Sequence, residues 1–181
     1  GHKVGWLTLY AGLAGGADII LLPEIPYDIN IVCDALTKRS KAGKRFSILA
    51  VAEGAISREE ASMSKKELKA KKRTEMVYPS VAYEIGARIT EITGSEVRVT
   101  VPGHMQRGGE PCAYDRVLST RLGATAAKMI ADGEFGYMAA VKNNDITQVP
   151  LSEVAGRLKT VDPECSMIKE AKMVGISFGD E

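Results

Sequence analysis

The sequence predicts an α/β protein with a mainly parallel sheet, and three observations carry that prediction. Ile19 to Leu22 and Ser47 to Ala52 are short apolar runs, the pattern of strands buried on both faces. Residues 28–42 between them carry apolar positions at helical spacing. Strand, helix and strand in that order form a parallel crossover, which is right-handed almost without exception.

The elements follow in chain order. Residues 3–15 have helical spacing and stop at Gly15-Gly16. The run Ile19 to Leu22 ends at Pro23. Asp28 is a good N-cap for a helix over 28–42, and Lys38, Arg39 and Lys41 suit its C-terminal end. Ser47 to Ala52 is the second strand. Residues 57–75 are charged, with a basic run over 65–73 that reads as a solvated helix or loop, or as a positive surface beside an anionic ligand. Residues 79–93 resume helical spacing through Val81, Ile85, Ile89 and Ile92. Glu96 to Val101 alternates as a strand and stops at Pro102-Gly103. Residues 112–131 predict a long helix. Phe135 to Val141 and Ile146 to Val149 predict a hairpin around Asn143-Asn144, and Leu151 to Leu158 a last short helix. The tail to Glu181 has weak periodicity.

Composition narrows the classes of function. With 45% apolar and 26% charged residues, 181 residues describe an ordinary globular protein with room for a core. A net charge of +1 argues against a general nucleic-acid binder. Cys33, Cys112 and Cys165 are an odd set without CxxC spacing, which suggests a reducing compartment and no zinc site. No apolar run approaches the roughly 18 residues that span a bilayer. A cytoplasmic protein without membrane or nucleic-acid partners is the expectation. The start, Gly1-His2-Lys3, leads at once into apolar Val4, Trp6 and Leu7, and reads as cut from a longer chain.

The stretch richest in chemistry is Arg98 to Gly109. It joins a β-type run to His104, Gln106 and Arg107 and closes on two glycines. Donors set in glycine-rich turn chemistry at a strand end are how α/β proteins build ligand sites. Arginine offers a rigid fork suited to phosphate. His104 reads either as a satisfied core histidine or as part of such a site. Arg98 reads as an outward surface charge or a ligand contact. Glu53, in Ala52-Glu53-Gly54 after a strand, reads as a helix cap, a structural ion pair or an acceptor for sugar hydroxyls. Glu53, His104 and Arg107 each fall just beyond an apolar run and are expected to converge on one pocket.

Gly103-His104-Met105-Gln106-Arg107-Gly108-Gly109, with Tyr114-Asp115-Arg116 and Thr120-Arg121-Leu122-Gly123, closely resembles phosphofructokinases. Ala11 to Ala17, Pro23-Glu24 and Ala50 to Gly54 agree, in the family's order. The resemblance is to the C-terminal half only. It implies a three-layer sandwich, with a phosphofructokinase-like substrate domain and part of the donor domain. It divides the chain into a sugar-phosphate-binding domain over 1–105, a return segment over 106–160 that packs on the donor domain, and a tail over 161–181.

The resemblance also implies roles. His104 and Arg107 would contact the phosphate of fructose 6-phosphate, Glu53 its sugar, and Arg98 the sugar phosphate of a neighbouring subunit in a homo-oligomer, a dimer or tetramer. Gly1 and His2 lie where the family has Met-Gly-Arg at a helix start, an anion site in principle; His2 stands in place of the usual arginine. The phosphoryl donor would be ATP or pyrophosphate. The catalytic aspartate, the donor glycines and the Mg2+ ligands would lie upstream of residue 1, so this segment alone is expected to be inactive. The parent would act in glycolysis. The alternative is a non-catalytic sugar-phosphate-binding or regulatory module, and the blandest reading is an α/β domain without a ligand.

Overall fold

Residues 2–64, 66–68 and 78–181 are described by the structure, a computed structural model. They form two compact units, Gly1–Val101 with Lys159–Glu181, and Pro102–Leu158. The basic run 65–73 lies outside the described residues apart from 66–68.

The first unit is organised on β1 (Ile19–Leu21), which pairs in parallel with β2 (Leu49–Val51) in the register Ile19–Leu49, Ile20–Ala50, Leu21–Val51. On its other side β1 meets the C-terminal segment, through a parallel bridge between Ile19 and Ser177. With neighbours at both edges and helices over both faces, every residue of β1 is buried.

Alternation along the strand sorts its side chains between two apolar layers. Ile20 and Leu22 pack with Leu9 of α1 (Trp6–Ala14), Ile168 and Ala171 of α7 (Ser166–Met173), and Phe178. Ile19 and Leu21 pack with Val32 and Cys33 of α2 (Ile29–Lys41), and with Ile85 and Ile89 of α4 (Val81–Thr93). Helices, sheet and helices make the three layers that the family resemblance implies. A short α3 (Arg58–Ala61) lies between β2 and α4.

Local chemistry explains several boundaries. Asp28 caps α2 as expected, its carboxylate accepting the N–H of Asn30 at 2.8 Å. At the other end Arg39 pairs with Asp18 at 2.7 Å and donates to Ser47 at 2.9 Å, tying the last turn of α2 to the sheet. α1 lies close on the sheet because Gly12 has no side chain. A Cβ there would sit 2.7 Å from Ile20 Cδ1 and 3.1 Å from Ala50 Cβ. Gly12→Val should therefore lower stability by about 1–3 kcal/mol through overpacking. Urea denaturation would read this as a lower midpoint with an unchanged slope.

The second unit holds α5 (Ala113–Ala131), then β3 (Tyr137–Lys142) and β4 (Asp145–Pro150) as an antiparallel hairpin. Asn143 and Asn144 both have positive φ, 51° and 68°, which suits the expected two-residue turn. The short α6 (Leu151–Val154) follows. Tyr114, Val117 and Ile130 of α5 are exposed, and Met129 is the buried side chain of that helix.

Three expectations are corrected. Glu96 to Val101 belongs to no strand. Val97 and Val99 lie over Gly86 of α4, but a cavity of about 340 Å³ separates the segment from β2. A strand needs a neighbour's backbone groups, and alternation alone does not supply one. The helix expected over Leu151 to Leu158 ends at Val154, and it is not the last, since α7 follows. Residues 161–181 are not a separate tail, because Val161, Ile168, Ala171 and Phe178 are core residues of the first unit.

Candidate functional site

Adjacent parallel strands deliver their following residues to the same end of a sheet, and Leu21 stands opposite Val51. Glu24 follows β1 and Glu53 follows β2, so two carboxylates leave that end together. Glu24 turns inward. Its Oε1 accepts the N–H of Gly5 at 2.9 Å and of Val161 at 3.0 Å, anchoring the segment that leads into α1. Glu53 stays exposed, and its Oε1 lies 3.3 Å from His2 Nδ1. Two residues singled out from the sequence, His2 and Glu53, are thus brought into contact from separate segments.

The helix-start reading of Gly1 and His2 needs correction. α1 begins at Trp6 with Gly5 as its N-cap, so His2 lies outside its first turn. The N–H of Gly5, the N-cap, is already taken by the Glu24 carboxylate. Gly1 lies outside the described residues.

Arg98 is in the first unit. It lines the 340 Å³ cavity with Leu49, Val51, Ile85 and Ile89, and its Nε donates to Glu96 Oε1 at 2.9 Å. Both partners are largely exposed, so the pair constrains Arg98 only weakly.

His104 and Arg107 sit in the second unit, on a 3₁₀ turn over Gly103–Arg107 with no buried residue. Gly103 opens that turn at φ 54°, a conformation that disfavours any side chain. The turn presents an imidazole and a guanidinium to solvent, donors suited to an anion. The unpaired Glu96–Val101 segment means that His104 and Arg107 do not follow a strand end, as the sequence reading supposed. Arg121, on the next helix, is committed to the hairpin, donating to the Asn144 carbonyl at 2.9 Å.

Sequence reasoning gave Glu24 no role beyond membership of a recognisable segment, yet it holds residues 5 and 161 together. The signal was a carboxylate beside Pro23 directly after a buried strand. Among the described residues no three His, Cys, Asp or Glu side chains gather as a metal cage, and no helix is long and apolar enough to cross a membrane.

The sequence pattern of the family described as Phosphofructokinase matches residues 1–130. The chain is 52% identical over 180 residues to an ATP-dependent 6-phosphofructokinase of Spirochaeta thermophila, covering 99% of this chain and 49% of that protein. It is 42% identical over 179 residues to a pyrophosphate–fructose 6-phosphate 1-phosphotransferase of Streptomyces coelicolor, covering 99% of this chain and 50% of that protein. The chain spans about half the length of the curated relatives it matches. The crystal structure of a pyrophosphate-dependent phosphofructokinase from Marinobacter aquaeolei superposes with a TM-score of 0.73 over 98% of this chain and 46% of that one, at 19% identity, a likeness of fold. The chain belongs to the phosphofructokinase family.

Proposed function

We propose that this chain is the acceptor-recognition part of a 6-phosphofructokinase, which transfers a phosphoryl group from ATP or pyrophosphate to the 1-hydroxyl of fructose 6-phosphate. The single observation that carries this reading is the family match over residues 1–130, which includes the Gly103–Gly109 motif. In this reading Glu53 accepts hydrogen bonds from sugar hydroxyls, and His104 and Arg107 hold the 6-phosphate. Arg98 serves the sugar phosphate of a neighbouring copy, so the working protein is a cytoplasmic homo-oligomer. Contacts to the 6-phosphate supply binding energy away from the reacting hydroxyl, which can be used to position it.

Magnesium would neutralise charge on the moving phosphoryl group. In this reading its ligands lie upstream of residue 1, as the family resemblance implies. The relatives carry both ATP-dependent and pyrophosphate-dependent names, so the direct test is a coupled assay of the longer protein with each donor in parallel. Formation of fructose 1,6-bisphosphate with neither donor would overturn the reading.

Arg98 gives a sharper test. A charge-assisted contact to phosphate is worth roughly 1.5–3 kcal/mol. In the longer protein, Arg98→Ala should weaken fructose 6-phosphate binding about tenfold or more. An unchanged apparent affinity would remove Arg98 from the site.

A further inference from the structure

We propose that Glu24 is a positioning residue for fructose 6-phosphate binding: with Trp6 it fastens the lead-in to α1 onto residues 159–161, and the course of residues 2–4 depends on that fastening. The inference rests on the proposed acceptor role of this chain and deepens it, and Glu24 itself touches no ligand.

Residues 2–4 have little of their own to hold them. Their backbone makes no hydrogen bond among the described residues, and His2 and Lys3 are exposed. The chain is first held at Gly5 and Trp6. Glu24 Oε1 accepts the N–H of Gly5 at 2.9 Å and the N–H of Val161 at 3.0 Å. The Trp6 indole N–H donates to the Lys159 carbonyl at 2.9 Å. Residues 5 and 6 are thereby tied to the stretch where the first unit resumes after Leu158. Residues that lie far along the chain thus set where the lead-in starts.

The carboxylate is wholly committed to this task. Its second oxygen, Oε2, is buried and has no hydrogen-bond partner among the described residues. A buried acceptor without a donor costs free energy, so stability alone is a poor reason for a carboxylate at this place. What it adds is a strong, directed hold, since hydrogen bonds to an ionised acceptor are roughly twice as strong as neutral ones. Gly5 fits the same reading. Its φ of −89° suits any residue, yet a Cβ there would lie 2.7 Å from Glu24 Oε2 and 2.9 Å from Leu22 Cδ2. The missing side chain makes room for the carboxylate.

Calorimetry on the longer protein tests the role. Glu24→Leu should raise the dissociation constant for fructose 6-phosphate about tenfold, because only molecules with the lead-in in place bind. Affinity for the phosphoryl donor should not change, whereas a merely structural defect would weaken both ligands or neither. Glu24→Gln keeps an oxygen acceptor for the two N–H groups and should bind fructose 6-phosphate within about threefold of the unaltered protein. Gly5→Ala crowds the carboxylate from the other side and should weaken the sugar phosphate as Glu24→Leu does, with no further loss in the double variant. In the 181-residue chain Trp6 is the single tryptophan, so its fluorescence reads the fastening directly. Emission should move to the red and acrylamide should quench it more readily in Glu24→Leu and Gly5→Ala, but not in Glu24→Gln.

Unchanged fructose 6-phosphate affinity in Glu24→Leu overturns the proposal. So does an equal loss for sugar phosphate and donor, a Glu24→Gln as weak as Glu24→Leu, or Trp6 emission that no variant moves. Turnover assays separate this from the enzyme reading. Turnover with unchanged affinity in Glu24→Leu keeps the enzyme and removes the positioning role. Selective loss of sugar-phosphate affinity in a protein that turns over neither donor keeps the positioning role and removes the enzyme.

Discussion

The 181-residue chain by itself, verified free of host phosphofructokinase, is expected to give no sustained fructose 1,6-bisphosphate with ATP or with pyrophosphate. Two losses make the effect large. A positioned general base contributes roughly 10²–10⁴-fold, and the family resemblance puts that aspartate ahead of residue 1. Holding donor and acceptor in line supplies up to about 7–11 kcal/mol of the barrier, and the donor glycines belong to the same preceding region. The groups proposed here for the acceptor, Glu53, His104 and Arg107, bind and orient; none is assigned to take the hydroxyl proton. A coupled assay on the purified chain checks this. Sustained product that disappears in Glu53→Gln or Arg107→Ala would mean that these residues complete a whole site, and the half-enzyme reading would be wrong.

Phe178→Ala should be the most damaging single truncation in the first unit. Phe178 is fully buried and shares its layer with Leu9, Ile20 and Ile168. Truncating a buried phenylalanine costs about 3–5 kcal/mol, a large share of the about 5–15 kcal/mol that keeps a typical domain folded. The residue is three from the chain end, yet its neighbours fix it. Ser177 bridges to Ile19, and the Gly179 carbonyl accepts the N–H of Asp28 at 2.7 Å. Urea unfolding should show a much lower midpoint, or no cooperative transition. A loss below about 1 kcal/mol would mean that the last residues are not part of the core.

The sequence was readable where a local pattern decides the structure. Asp28 caps α2, Asn143 and Asn144 turn the hairpin, and the unbroken apolar run at Ile19 marks a strand buried on both faces. Each depends on a few neighbouring residues. Glu96 to Val101 alternates as cleanly as any strand in the chain, but pairing depends on an edge elsewhere, and the segment lies across a cavity from β2. α7 failed in the opposite sense. Ser166–Met173 buries Ile168 and Ala171 against the sheet, too few apolar positions to announce a helix. The candidate site divides along the same line. Glu53 was legible from its place after an apolar run. Its approach to His2 was not, because the segment carrying His2 is held by Glu24, whose partners are at residues 5 and 161.

That last arrangement bears on how the protein is made. β1 is flanked by β2 on one side and by Ser177 on the other. A ribosome adds about 5–20 residues per second, so β1 and β2 emerge on the order of ten seconds before the residues around Ser177. During that interval the emerging chain has a sheet with one side open and an apolar layer lacking Ile168 and Phe178. Closure of the first unit therefore waits until the residues around Ser177 have emerged. Exposed strand edges are what chaperones protect and aggregation exploits, and β1 carries one until Ser177 pairs with it.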